Sequence, residues 1–158
     1  MPDRTPAAGR VQRAATAAGL DIAVLAMDAS TRTAKDAAAA CGCEVAQIVK
    51  SLVFASEPSN RLVLLLVSGR NRVNEAAVSE RIGTRLMRAD AKTVRNHTGF
   101  AIGGIPPLGH DQPLATFIDE DLLTFDVVWA AAGTPNTVFS SNPTALQTAT
   151  CARVIRMQ

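Results

Sequence analysis

The sequence predicts an α/β fold of the mixed α+β kind: a mixed, partly antiparallel, barrel-like sheet surrounded by helices. Three observations predict it. Short apolar runs alternate with segments of helical composition. The strand-like runs outnumber what a strict strand–helix–strand repeat would use, and several are joined by turns of hairpin length. The 158 residues suffice for one hydrophobic core, and 47% apolar with 19% charged residues excludes a disordered chain. A single domain over residues 1–158 is therefore expected, without repeats, low-complexity tracts or linkers.

The elements follow in order. Residues 10–18 (RVQRAATAA) have helical composition and stop at Gly19. Residues 22–27 (IAVLAM) read as a short buried strand. Hydroxyls at Ser30, Thr31 and Thr33 offer caps for the Ala-rich segment 34–41, which Gly42 closes. A helical turn is expected at 44–48. Residues 49–55 and 61–68 read as paired strands around the turn Glu57-Pro58-Ser59-Asn60. Residues 74–82 form a helix capped by Asn74, 85–88 a short strand, and 90–96 a helix capped by Asp90. Residues 97–110 (HTGFAIGGIPPLGH), with four glycines and two prolines, exclude regular structure throughout. Strands at 115–118, 127–131, 137–140 and 153–157 complete the sheet. A polar-headed turn is expected at 119–123, and a helix at 142–147 has Pro143 in its first turn.

Composition narrows the function. The longest apolar run beside a strand signal, Leu62–Val67, is too short to cross a bilayer, and the N-terminus lacks a secretory stretch, so a cytoplasmic location is expected. Cys41, Cys43 and Cys151 lack metal-ligand spacing and read as reduced, small apolar residues. A net charge of +2 does not announce a nucleic-acid binder. Of the sixteen basic residues only Lys35, Lys50 and Lys92 are lysines. Arg does not replace a compact ammonium where a pocket needs a point charge, which draws attention to Lys50.

In the run Ile48–Phe54, alternation puts Lys50 on one face with Leu52 and Phe54, and Val49, Ser51 and Val53 on the other. Two readings stand side by side. Lys50 is either a snorkelling lysine with its head in water or an ammonium for a phosphate, carboxylate or polarised carbonyl. The loop Gly99–Gly109 also has two readings. Its adjacent glycines admit close approach of main-chain N–H groups to a ligand, as in an anion site or oxyanion hole. Alternatively it is a tight structural turn. It matches neither a dinucleotide fingerprint nor a P-loop. His97 and His110 are the only histidines; His110 reads as an exposed turn residue, and His97 as a capping, surface or pocket residue. No Gly-x-Ser-x-Gly elbow supports a serine hydrolase.

These segments resemble the YbaK family, the editing domains related to the insertion domain of bacterial prolyl-tRNA synthetase. Two motifs carry the resemblance: Gly42–Phe54 around Lys50, and Thr98-Gly99-Phe100 leading into Gly103-Gly104-Ile105-Pro106-Pro107-Leu108-Gly109. A looser match is Ala132-Gly133 followed by a helix with Pro143 and Leu146. The resemblance spans about Gly19 to Met157. It implies a free-standing aminoacyl-tRNA deacylase with no metal or organic cofactor. It assigns Lys50 to the acylated terminal adenosine, and Gly103, with Pro107, to main-chain contacts at the scissile ester. Gly104 and Ile105 belong to the same substrate-binding loop. Met27 stands where some relatives carry an aromatic residue, and Ala131 where some carry a hydroxyl before Gly133. The stretch with Ser30, Thr31 and Thr33 resembles a different subgroup, and these side chains are expected to wall the amino-acid pocket.

The leading expectation is thus trans-editing hydrolysis of a tRNA mischarged with a small residue such as Ala, Cys, Ser or Thr. The partners are aminoacyl-tRNA and, as a further candidate, an aminoacyl-tRNA synthetase, with no membrane. Arg70, Arg72, Arg81 and Arg85 are candidates for holding the tRNA body, or form a solvated face. Two alternatives are a non-catalytic module that binds aminoacyl-tRNA or a synthetase, and an esterase for small aminoacyl esters independent of RNA.

Overall fold

The computed structural model describes residues 6–158, and its centre is the run Leu62–Ser68, buried along its whole length. In chain order the elements are α1 (Pro6–Ala17), β1 (Leu25–Ala26), α2 (Ala34–Cys41), β2 (Ile48–Glu57), β3 (Leu62–Ser68), α3 (Glu75–Ile82), β4 (Arg85–Arg88) and α4 (Ala91–Thr98). They continue with β5 (Ala115–Asp119), β6 (Val128–Ala131), β7 (Thr137–Ser141), α5 (Pro143–Thr150) and β8 (Arg153–Ile155). Short 3-10 turns occupy Val45–Gln47 and Glu120–Thr124. The sheet is mixed, in the order β1-β7-β6-β2-β3-β5-β8, with β4 paired to β2 outside that path.

Helix boundaries follow the local chemistry. Thr33 caps α2 by accepting the Asp36 N–H, and Asn74, Asp90 and Asn142 do the same for α3, α4 and α5. Gly42, Gly83 and Gly99 end α2, α3 and α4 in the left-handed conformation that a side chain disfavours.

Alternation along β3 separates two cores. Leu64 and Leu66 face a cluster with Val11 and Ala15 of α1, Val49 of β2, Ile118 and Phe139. Val63, Leu65 and Val67 face the other side, with Phe54, Val78 of α3 and Met157. Ile48 meets Ala37 and Ala38 of α2 in a third, smaller patch. Burying one such Leu stabilises the fold by roughly 1.5–3 kcal/mol, so β3 dominates the cohesion of both cores.

The pairing of β2 creates the cleft. One edge of β2 pairs with β3 from Val49 to Ala55. The other edge is shared: β6 pairs in parallel at Ile48 and Val49, and β4 pairs antiparallel from Phe54 to Glu57. Between them, Lys50, Ser51, Leu52 and Val53 have no strand beside them on that edge. The Gly69 N–H donates to the Ile48 carbonyl and the Ser56 N–H to the Arg61 carbonyl, so the even-numbered residues of β2 turn their main-chain groups towards β3. Ser51 therefore turns its main-chain N–H and C=O towards the notch.

Two expectations need correction. The strand expected over 22–27 forms only at Leu25–Ala26, both exposed, because β7 reaches no further along it. The irregular segment begins after α4 rather than at His97, since the helix continues to Thr98 before Gly99 ends it.

Candidate active site

A cavity of about 510 Å³ opens at the notch in β2. Its walls come from Thr31–Ala34 at the start of α2, Ile48–Leu52 of β2, Trp129–Ala131 of β6, and Ile102, Gly103 and Ile105 of the glycine loop. Lys50 and Gly103, 53 positions apart in sequence, thus line the same space. Thr31, Thr33, Ile105 and Ala131, also picked out in the sequence, line it as well. The size lies within the usual range of small-molecule sites.

Lys50 is half-buried, and its ammonium donates to the Asn71 main-chain carbonyl. Asn71 is fixed in turn: its side-chain amide donates to Asp119 Oδ2 at 2.9 Å and to Asp121 Oδ2 at 2.7 Å, and its Oδ1 accepts from Gln158 Nε2 at 2.8 Å. Asp119, only 1% exposed, also accepts the Ser68 N–H at 3.0 Å and the Asp121 N–H at 2.9 Å. Burial and the neighbouring Arg72 guanidinium pull the Lys50 pKa below that of an ordinary lysine, while the Asp119 carboxylate opposes them. The lysine is therefore held at the cavity wall by a buried polar network rather than left to swing in solvent.

The glycine loop is held from beneath. Arg10 donates to the Gly99 carbonyl at 3.3 Å, to the Thr98 carbonyl at 3.3 Å and to Asp111 Oδ1 at 2.7 Å. Its guanidinium lies 4.4 Å from the Phe100 ring centre. Within the loop the Gly104 N–H closes a turn onto the Ala101 carbonyl at 3.3 Å. Neither the Gly103 nor the Ile105 N–H has an acceptor among the described residues. Gly103 adopts φ +104°, a conformation disfavoured for other residues. Two unspent donors, one on each side of Gly104, are what an anion or a developing oxyanion requires.

Several sequence-predicted residues do not line the cavity. Gly104 packs against the Thr134 backbone so closely that a Cβ would stand 2.7 Å from the Thr134 carbonyl carbon; its small size serves packing. Gly133, at φ +104°, fits between Ala7 and Phe100 for the same reason. Pro107 is buried, Met27 is tied to Asn136 just before β7, and the exposed Ser30 accepts the Arg32 N–H. His110 is not an exposed turn residue: its Nε2 bonds the Pro106 carbonyl at 2.8 Å and its ring meets Phe100 edge-on. His97 lies in the last turn of α4 with a buried Nε2 that has no partner, and does not line the cavity. The arginines expected to meet tRNA, Arg70, Arg72, Arg81 and Arg85, are all exposed; Arg81 donates to the Arg156 and Gln158 carbonyls, and Arg85 pairs loosely with Glu57 at 3.6 Å.

Sequence reasoning missed Arg32, Asn71, Asp119 and Ser51. Arg32 lies over Gly103 at the cavity wall, where a Cβ on Gly103 would meet its Nε at 3.2 Å. Its position between Thr31 and Thr33 was the available signal. Among the described residues no group of His, Cys, Asp or Glu is arranged to hold a metal ion. No helix among them is long and apolar enough to cross a membrane.

Comparisons with known proteins identify the family. The chain is 46% identical to "a putative trans-editing enzyme for prolyl tRNA synthetase" of solved structure, with 99% of each chain covered and a TM-score of 0.92. It is 26% identical over 116 residues to the uncharacterized protein YwhH of Bacillus subtilis, covering 73% of each. A stretch of 94 residues is 29% identical to the proline–tRNA ligase of Limosilactobacillus fermentum, spanning 57% of this chain and 16% of the ligase. Residues 28–149 match the aminoacyl-tRNA editing domain, and the chain belongs to that family.

Proposed function

We propose that residues 1–158 form one free-standing editing unit, a cytoplasmic deacylase acting in trans on mischarged tRNA. The substrate carries a small amino acid such as Ala, Cys, Ser or Thr, and the similarity to a proline–tRNA ligase favours a tRNA of the proline system, with that synthetase as a docking partner. The observation that carries this reading is the presence of Lys50 and Gly103 on the walls of one cavity, with the Gly103 and Ile105 N–H groups unspent.

The chemistry needs little apparatus, because an aminoacyl ester is already activated. Water attacks the ester carbonyl carbon, and the carbonyl oxygen gains negative charge beside the Gly103 and Ile105 N–H groups. Collapse breaks the bond to the ribose oxygen, which takes up the proton lost by the water. The products are a free amino acid and a tRNA with its terminal hydroxyl restored. The Lys50 ammonium holds the terminal adenosine, so that the ester meets those donors in one orientation. Thr31, Ala131 and the ring of Trp129 bound the space for the amino-acid side chain. A methylene more or less there changes binding by only about 1–3 kcal/mol, so the wall sets a preference among small residues.

The test is a deacylation panel: several mischarged amino acids on more than one tRNA, with the wild type and Lys50→Ala. Release of a small amino acid by the wild type and not by the variant supports the reading. Binding without release across the whole panel overturns it in favour of a non-catalytic module.

A further inference from the structure

A second cavity, of about 320 Å³, adjoins the first along the same unpaired edge of β2. The two share Ser51, Leu52, Ile102 and Ile105. The second is bounded otherwise by apolar side chains, among them Phe54 and Ala89, with the exposed Arg88 at its rim. Ile102 stands between the two openings and is 56% exposed, an unusual position for a large apolar side chain. Ser51 Oγ is buried and has no hydrogen-bond partner. Folded chains rarely keep an orphaned hydroxyl, and one that persists calls for a ligand or another functional reason.

We infer that this second cavity receives the adenine of the terminal nucleotide, and that the Ser51 hydroxyl bonds the ribose between the two cavities. The inference rests on the function proposed above. With the ester in the first cavity, the ribose must lie at the shared wall and the base beyond it. The only residue of that wall with a polar side chain is Ser51, whose main-chain groups face a stretch with no neighbouring strand and whose buried hydroxyl has no partner. The apolar walls suit the face of a base, with Ile102 closing over it and the Arg88 guanidinium at its edge.

Two amide-linked analogues test this by calorimetry without turnover: alanylamino-deoxyadenosine, and the same alanylamino sugar lacking the base. The wild type is expected to bind the adenine compound at least tenfold more tightly. Ile102→Ala, at an exposed position, and Ala89→Leu, which fills the cavity, are each expected to remove most of that preference. Ser51→Ala is expected to weaken both analogues roughly five- to tenfold, while its melting temperature stays level or rises, because the unbound protein loses only an orphaned group. Equal affinity of the wild type for the two analogues, or Ser51→Ala binding unchanged with a lowered melting temperature, overturns the inference. Deacylation of mischarged tRNA without adenine preference defeats the subsite and leaves the function standing; adenine preference without deacylation does the reverse.

Discussion

The Lys50 ammonium and the Asp119 carboxylate are joined through one residue: Asn71 accepts from the first with its main-chain carbonyl and donates to the second with its side chain at 2.9 Å. The cation at the cavity is therefore placed by a network that begins in β5 and runs through the turn after β3. Its removal tests the whole site. Lys50→Ala is expected to lower kcat/KM for deacylation by roughly 10²-fold, the cost of losing the group that holds the terminal adenosine in position. Lys50→Arg should recover little, since a planar guanidinium does not fit the single carbonyl that anchors the ammonium. Steady-state kinetics of both variants check this.

The same lysine gives a pH signature. Its pKa is lowered chiefly by burial, so activity that depends on the ammonium should fall on the alkaline side at a lower pH than an ordinary lysine would dictate. Stability runs the other way. The unfolded chain holds that proton more tightly, so raising the pH from the folded towards the unfolded pKa relieves the desolvation and stabilises the fold. A pH–rate profile and denaturant melts over the same range should show this opposition, and Lys50→Met should abolish both limbs.

Asp119→Asn replaces one oxygen acceptor by an amide that faces donors from Ser68, Asn71 or Asp121. A buried donor left unsatisfied costs about 1–3 kcal/mol, and the variant should lose about that much unfolding free energy and melt at a lower temperature. Because Asn71, which carries the Lys50 ammonium, is held less firmly by an amide than by a carboxylate, kcat for deacylation should fall in folded protein, which a merely stabilising carboxylate would not require. Activity assayed well below the new melting temperature separates the two effects.

Adjacent glycines are expected to fail in different ways. Gly103→Ala puts a side chain at φ +104° with its Cβ 3.2 Å from Arg32 Nε, a flexible neighbour at the cavity, so activity falls while the fold survives. Gly104→Ala would place a Cβ 2.7 Å from Thr134 backbone, which cannot swing aside, so stability falls first. Thermal melts paired with deacylation rates should separate the two variants. Equal behaviour of both would contradict the division of labour.

What was legible in the sequence was local. Thr33 and Gly42 bound α2, Asn74 and Asp90 begin α3 and α4, and the turn at Pro58 joins β2 to β3, because caps and turns are written within a few residues. Lys50 stood out because it interrupts an apolar strand. Asp119 did not, since its partners Ser68 and Asn71 lie 51 and 48 positions away and an Asp beginning a polar turn reads as a cap. Nor did Ser51: its importance depends on β6 and β4 leaving the same edge of β2 unpaired, a consequence of tertiary pairing. Residues 22–27 show the converse, a strand pattern that only Leu25 and Ala26 realise because no strand lies beside the rest.

His110 supplies the last prediction. Its ring is packed against Phe100 and its Nε2 meets the Pro106 carbonyl, an acceptor, so Nε2 carries the proton in the neutral form. Burial lowers its pKa most, the Pro106 bond opposes this, and nearby His97 and Arg10 add to the lowering. An unfolded chain takes up a proton near the ordinary histidine value while the folded one resists it. The stability this group contributes is therefore present above that value and lost as pH falls towards the folded pKa. Since the ring lies beneath the glycine loop, acid should loosen the loop before it unfolds the core. His110→Gln, which keeps a donor for the Pro106 carbonyl and cannot titrate, is expected to flatten the acid limb of stability between those two pH values. Melting curves of both proteins from neutral pH downward give the comparison, and an identical acid dependence would show that His110 is not the group responsible.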